Sequence, residues 1–285
     1  MESWLGKPVA ENVYKKIEEG VAIVRAKKGR PPGLGLLLVG ENPSSQVYVN
    51  MKGKACEKYG LYSKTITLPT TASFNDVSNA VTELNTNPEI DGFIIQLPLP
   101  SHLPERTLLD LVDAEKDADC LAASNIGRLV LGVPEFLPCT PSGIMEMLEY
   151  YKAPVSGKHV LVIGRSQIVG RPISILLSLK GVDATVTLAH SRTKNLNELL
   201  KSADGIVAAI GVPGFIKASD CKAGSWIVDV GVNRVPADNE KGYKLVGDVL
   251  CDSTDHLHAM TPVPGGVGPM TIAQLLSNCV KAALV

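Results

Sequence analysis

Apolar residues recur near the start of the chain at helical spacing. Val9, Val13, Ile17, Val21 and Val24 share one face, which predicts an amphipathic helix stopped by Gly29 and Pro31-Pro32. Residues 34–39 form a short continuous apolar run between turn signals, the pattern of a parallel strand buried on both faces. Gly40-Glu41-Asn42-Pro43 turns the chain into a second helix over about 44–59, and 65–68 reads as a strand. Ser73 with Asp76 three residues later is a capping-box pattern, and Val77, Val81 and Leu84 supply the stripe of the helix it opens. A third strand over 90–96 ends at Leu97-Pro98-Leu99-Pro100.

Between 114 and 141 both periodicities weaken, apart from the apolar stretch 129–131. A helix is expected over 142–151, and then the alternation restarts. Strands are predicted at 158–164, 185–188, 206–210 and 226–230, with helices at 169–179 and 196–201. The closing stretch 271–285 carries Ile272, Leu275, Leu276, Cys279 and Val280 on one helical face. Strands alternating with helices imply parallel sheets covered on both sides. The fold class is therefore α/β, with two α/β domains joined near 140–150: the first over residues 1–141, the second over 142–270.

Composition narrows the chemistry. With 285 residues, 28 Lys+Arg and 29 Asp+Glu, the formal charge is −1. Binding to nucleic acid or to a membrane surface calls for a basic excess that this chain lacks. Aromatic residues make up 5%, too few for a base-stacking platform. No apolar run approaches the roughly 18 residues of a membrane span, and the first residues show no basic-then-apolar leader pattern. Six scattered cysteines without a C-x-x-C pair read as reduced thiols of a cytoplasmic protein. His256-Leu257-His258 is the closest histidine pair, and nothing beside it supplies a metal ligand set.

The predicted strand at 158–164 runs into Gly164-Arg165-Ser166-Gln167-Ile168-Val169-Gly170 and then an apolar helix. Strand, tight glycine turn and helix N-terminus form an anion site, with backbone N–H groups and the positive dipole end facing the turn. The spacing departs from G-x-G-x-x-G, since Ser166 stands where a second glycine would be; an ordinary strand-to-helix connection reads the same way. The next strand ends in Ala189-His190-Ser191-Arg192-Thr193, with no carboxylate to grip a ribose 2′-hydroxyl. Arg165, Arg192 and Ser191 suit a 2′-phosphate instead, so any dinucleotide here is NADP in preference to NAD.

Tyr48 and Lys52 lie four apart on the second helix and share a face. Val49, Met51 and Ala55 surround Lys52, so its ammonium is expected to be partly desolvated and able to act as general acid/base. A helix-surface lysine is more commonly just solvated. Gln96 puts an amide at the carboxyl end of a strand, where open α/β sheets bind ligands. Lys116-Asp117-Ala118-Asp119 forms an acidic loop, and 261–271 combines three glycines with three prolines, a loop shaped around a ligand or a plain hinge.

Together these segments resemble the bifunctional methylenetetrahydrofolate dehydrogenase/cyclohydrolase family. The resemblance rests on Tyr48-Val49-Asn50-Met51-Lys52, on Asp91 through Pro100, and on Lys116 through Asp119. It continues through Asn125 to Leu129, Pro138 through Gly143, Gly164 through Pro172, His190-Ser191, Asp229 to Gly231, and 261–271. It implies an N-terminal catalytic domain rejoined by the last helix (about 271–285), a C-terminal Rossmann-type domain, a cleft between them, and a homodimer. It implies NADP-dependent oxidation of methylene-tetrahydrofolate and hydrolysis of the methenyl product to formyl-tetrahydrofolate. Under it Lys52 is the acid/base residue, tuned by Gln96, and Tyr48 orients the folate. Asp119 would hydrogen-bond the pterin edge, and Leu97, Gly268 and Pro269 would line the folate slot. Gly164, Arg165, Ser166, Ser191, Arg192 and Val232 would hold the cofactor. No metal is implied.

One departure stands out. After the acidic pair the family reads glycine, an aromatic residue and His-Pro, where this chain has Cys120-Leu121-Ala122-Ala123. A side chain at 120 is expected to oppose positive φ and shift Asp119. That leaves two readings, a small buried thiol tolerated in the loop or a dehydrogenase with weak or absent cyclohydrolase. A non-catalytic folate or nucleotide binder and an unrelated Rossmann dehydrogenase are further alternatives, and the latter would need neither the Tyr48/Lys52 pair nor the loop at 261–271.

Overall fold

In a computed structural model, which describes residues 1–240 and 242–285, the apolar run at 34–39 becomes the middle of a parallel sheet. The first elements are β1 (Glu2–Ser3), α1 (Gly6–Lys28), β2 (Gly33–Val39), α2 (Pro43–Lys58), β3 (Tyr62–Leu68), α3 (Phe74–Thr86) and β4 (Gly92–Ile95). After α4 (Glu105–Leu109), α5 (Ala123–Val130) and α6 (Cys139–Tyr150) come β5 (His159–Ile163), α7 (Gly170–Ser178), β6 (Thr185–Ala189), α8 (Leu196–Ser202) and β7 (Gly205–Ala208). The remainder is β8 (Ile216–Lys217), β9 (Trp226–Asp229), β10 (Asn233–Pro236), β11 (Tyr243–Val246), β12 (Val249–Leu250), β13 (Ala259–Met260) and α9 (Gly268–Leu284). Two compact units result: Glu11–Cys139 with Ile272–Val285, and Met1–Ala10 with Thr140–Thr271.

The first unit is built on the parallel sheet β3-β2-β4, in which Leu34 pairs with both Ser63 and Gly92. All of β2 is buried, as a central parallel strand requires. Local signals set the helices around it. Pro43 opens α2, whose first N–H groups, on Ser44 and Ser45, donate to Asn42 Oδ1 at 2.9 and 3.2 Å. The Ser73/Asp76 capping box opens α3. Val77, Val81 and Leu84 then pack with Leu37, Ile90, Phe93 and Leu108 in one core. The end of α9 packs here too: Cys279 is fully buried, and its thiol donates to the Gly33 carbonyl at 3.3 Å.

The second unit carries the six-stranded sheet β1-β13-β9-β7-β5-β6, parallel throughout. Its order reverses at β5, whose successor β6 lies on one side and β7 on the other. In this structure residues 1–10 group with the second unit. β1 adds to the edge at β13, with Glu2 N–H donating to the His258 carbonyl and Trp4 N–H to that of Met260, both at 2.9 Å. The fully buried Trp4 ring stacks on Tyr151 at 5.3 Å. Two residues of strand and one indole are enough to tie the start of the chain to this unit. Among the described residues no helix is long and apolar enough to cross a membrane.

Candidate active site

In the first unit, α2 carries Lys52 into the interior, where it is 7% exposed, while Tyr48 one turn earlier is 48% exposed. Lys52 Nζ donates to Gln96 Oε1 at 3.0 Å. Gln96 follows β4 directly, and its Nε2 donates to the Leu97 carbonyl at 2.8 Å, which turns the amide oxygen toward the lysine. The buried Nζ thus meets a neutral amide acceptor and, among the described residues, forms no ion pair with a carboxylate; the hydrogen bond holds it in place.

Asp119 joins this setting through Cys139. The Cys139 thiol is buried, and burial, reinforced by the neighbouring Asp119 carboxylate and offset in part by Lys52, pushes it well above its ordinary value. A thiol in that state is a neutral hydrogen-bonding group and not a nucleophile. It donates to the Ala118 carbonyl at 3.4 Å, and that carbonyl accepts from Asn278 of α9 at 2.8 Å. Nothing local in the sequence separates Cys139 from the other thiols, because Asp119 reaches it only through the fold.

Asp117, read as part of an acidic loop, is the loop's anchor. Its carboxylate accepts from Leu121 N–H (3.1 Å), Ala122 N–H (2.8 Å) and Asn125 Nδ2 (3.0 Å). It thereby fixes the turn that leads into α5, whose own first N–H, on Ala123, donates to Asp110 Oδ1 at 2.9 Å. Burial pushes its carboxyl up against those hydrogen bonds, with the Asp119 charge adding to the rise.

The expectation that a side chain at 120 resists positive φ is corrected. Cys120 adopts φ +57° with its side chain fully buried, and its thiol donates to the Phe136 carbonyl at 3.2 Å. The left-handed conformation costs about 1–2 kcal/mol, which burial of the sulfur and its hydrogen bond offset. The backbone at 120 takes the left-handed conformation that glycine adopts most readily.

The second unit holds the other expected residues. Gly164 ends β5 at φ +115°, and a Cβ there would stand 2.0 Å from the Ala209 carbonyl oxygen, so no side chain fits at this turn. The turn differs from the expected row of open N–H groups, because Ser166 Oγ accepts from Val169 N–H (3.1 Å) and Gly170 N–H (3.2 Å). The serine therefore caps α7 and keeps its own O–H to donate. Arg165 and Ser166 are exposed beyond β5, Ser191 and Arg192 beyond β6, and Val232 beyond β9. All lie past carboxyl ends of parallel strands, on either side of the order reversal, where such sheets bind ligands. Gly268 and Pro269 open α9.

Among the described residues no group of three or more His, Cys, Asp or Glu is placed to hold a metal. His256 bonds the Cys221 carbonyl at 3.2 Å, and His258 packs edge-on against Trp4.

Known proteins share this arrangement. Residues 4–119 match the catalytic-domain model of the tetrahydrofolate dehydrogenase/cyclohydrolase family, and residues 138–285 match its NAD(P)-binding-domain model. The chain is 46% identical over 277 residues to the bifunctional protein FolD of Chlamydia abortus, covering 96% of this chain and 95% of that protein. It is 47% identical over 281 residues to FolD of Flavobacterium johnsoniae, covering 97% and 95%. The crystal structure of the bifunctional FolD methylenetetrahydrofolate dehydrogenase/cyclohydrolase of Campylobacter jejuni superposes with TM-score 0.94 at 38% identity, covering 100% and 99% of the two chains. That of the Trypanosoma brucei enzyme, complexed with NADP cofactor and inhibitor, gives 0.93 at 36% identity, covering 99% and 97%.

Proposed function

The chain belongs to the tetrahydrofolate dehydrogenase/cyclohydrolase family, and from that premise we propose that it oxidises methylene-tetrahydrofolate with NADP and hydrolyses the methenyl product to formyl-tetrahydrofolate. The observation that carries this reading is the buried Lys52 bound to Gln96 at 3.0 Å, a proton-transfer group of the kind ring opening requires.

The donor set of the second unit fits NADP. The exposed turn after Gly164 carries Arg165 and Ser166, and the tip of β6 carries Ser191 and Arg192 where NAD would need a carboxylate, so two guanidiniums stand ready for a 2′-phosphate. Gly164, Arg165, Ser166, Ser191, Arg192 and Val232 would hold the dinucleotide, with the Ser166 O–H as a phosphate donor. NADP, when bound, supplies the acceptor for the hydride. The methylene carbon lies between two nitrogens that stabilise the cation it leaves, so the protein's part in that step is alignment.

Hydrolysis asks more of the side chains. Water adds to the methenyl carbon and loses a proton; the C–N bond then breaks as the new hydroxyl loses its proton to become the formyl carbonyl and the departing nitrogen gains one, so one proton is released overall. Lys52 is the group of the first unit that takes and returns protons there, with its Nζ aimed by Gln96. Asp119 accepts from the amino edge of the pterin, Tyr48 packs on the ring, and Leu97, Gly268 and Pro269 contact the folate. Because Cys120 leaves the loop in place, both activities are expected together. The reading extends to a homodimer working in the cytoplasm on folate derivatives, not on nucleic acid or a membrane; six free thiols suit a reducing compartment. The test is a coupled assay with methylene-tetrahydrofolate that follows NADPH formation and methenyl decay, first with NADP and then with NAD. Failure to reduce NADP overturns the reading.

A further inference from the structure

Two buried carboxylates of the second unit have no part in the roles above. Asp229 ends β9 at 2% exposure, and Asp248, just before β12, is fully buried. Burying a charge is costly unless donors surround it, and here they do. Asp229 Oδ1 accepts from the N–H groups of Gly231 (3.0 Å) and Asp248 (2.9 Å), and Oδ2 from that of Val249 (2.9 Å). Asp248 Oδ2 accepts from the N–H groups of Ile210 (2.6 Å) and Gly211 (2.9 Å), and Oδ1 from Asn233 Nδ2 (2.9 Å). The fit is tight from both sides: a Cβ on Gly231 would stand 2.1 Å from Asp248 Oδ1, and one on Gly247 1.9 Å from Asp229 Oδ2. Burial, with the Asp248 charge beside it, raises the Asp229 carboxyl to about 6 against its three N–H donors. The pair is therefore kept at some cost.

What the pair holds is informative. The order of the sheet reverses at β5, so the ligand crevice opens beyond the carboxyl ends of β5 and β7. One wall is the turn at Gly164, which closes against the Ala209 carbonyl. The other is the segment after β7, and Ile210 and Gly211, the residues Asp248 grips, follow Ala209 directly. Through Asn233 the same carboxylate reaches the loop that presents Val232.

We infer that Asp248 is a positioning residue of the dinucleotide site: it fixes the wall facing the glycine turn, while Asp229 holds the backbone of Asp248 itself. This rests on reading the second unit as the NADP site.

The test compares wild-type protein with Asp248→Ala and Asp248→Asn in two assays, KM for NADP in hydride transfer and hydrolysis of methenyl-tetrahydrofolate without dinucleotide. Asp248→Ala is expected to raise KM for NADP about tenfold, the loss of a buried acceptor serving several donors. Hydrolysis is expected to stay within about twofold. Asp248→Asn keeps an oxygen for Ile210 and Gly211 and is expected to rise less. Should Asp248→Ala fail to fold, Asn233→Ala removes only the Oδ1 bond, with an expected rise of about threefold. An unchanged KM for NADP, or equal loss of both activities in a folded variant, overturns the inference. Absence of NADP reduction by the wild-type protein would count against the functional reading instead.

Discussion

Lys52 of α2 donates to Oε1 of Gln96 at the end of β4 across 3.0 Å, and Gln96 is itself fixed by its bond to the Leu97 carbonyl. One helix and one strand end are thereby joined through a buried ammonium, and the direction of one Nζ–H is set by the amide oxygen.

Replacing Gln96 with Ala frees Lys52 while leaving the strand intact. Cyclohydrolase kcat is expected to fall by about tenfold to a hundredfold, the usual range for misplacing a proton-transfer group, while NADP reduction falls less. Steady-state rates of the two reactions on the same preparation check this. Equal decline in both would mean that Gln96 serves folate binding alone.

Cys120 sets strain against burial. Glycine at this position removes the left-handed strain of about 1–2 kcal/mol but gives up the buried sulfur and its bond to the Phe136 carbonyl. The expected net change in stability is under about 1 kcal/mol, with KM for the folate and both rates within about twofold. Cys120→Val, branched at Cβ with φ +57°, is expected to lose at least about 2 kcal/mol. Thermal denaturation and KM for the folate measure both outcomes, and a large gain in cyclohydrolase in Cys120→Gly would show that the thiol distorts the Asp119 loop.

Stability in acid depends on Asp91. Burial raises its carboxyl, but Arg30, bonded at 2.7 and 2.9 Å, the Gly33 N–H at 2.9 Å and Lys28 at 3.3 Å outweigh that and hold it below the ordinary value of 3.8. A carboxyl lowered in the native state binds fewer protons there than in the unfolded chain. Its contribution is therefore full above pH 3.8 and is lost as pH falls toward the lower native value. Asp91→Asn is expected to cost about 2 kcal/mol at neutral pH, between exposed and fully buried pairs, and to flatten the decline below pH 3.8. Urea denaturation at a series of pH values reads both, and an undiminished acid limb in the variant would point to other carboxylates.

Much of this architecture was legible along the chain where its cause is local. The Ser73/Asp76 box, Pro43 after Asn42, and the apolar run of β2 each carry their own signal within a few residues. What escaped depends on partners far away in sequence. The two residues of β1 form a strand only because β13 offers an edge. The first N–H of α5, on Ala123, is satisfied by Asp110, thirteen residues earlier and outside any capping-box spacing. The Tyr48/Lys52 face and Gln96 could be picked out because one helix turn and one strand end place them. Cys139 could not, since its meeting with Asp119 is made by folding across the 120–138 loop. The Asp229/Asp248 pair is hidden for the same reason, each carboxylate being satisfied by backbone 2 to 38 residues away.

The central claim is that one lysine serves hydrolysis while hydride transfer relies on alignment. Substituting Lys52→Met keeps the length and apolar stem and removes the amine. Cyclohydrolase activity is expected to fall at least about a hundredfold, with NADP reduction still measurable on the same folded protein. Equal loss of both activities, or survival of hydrolysis, would contradict it.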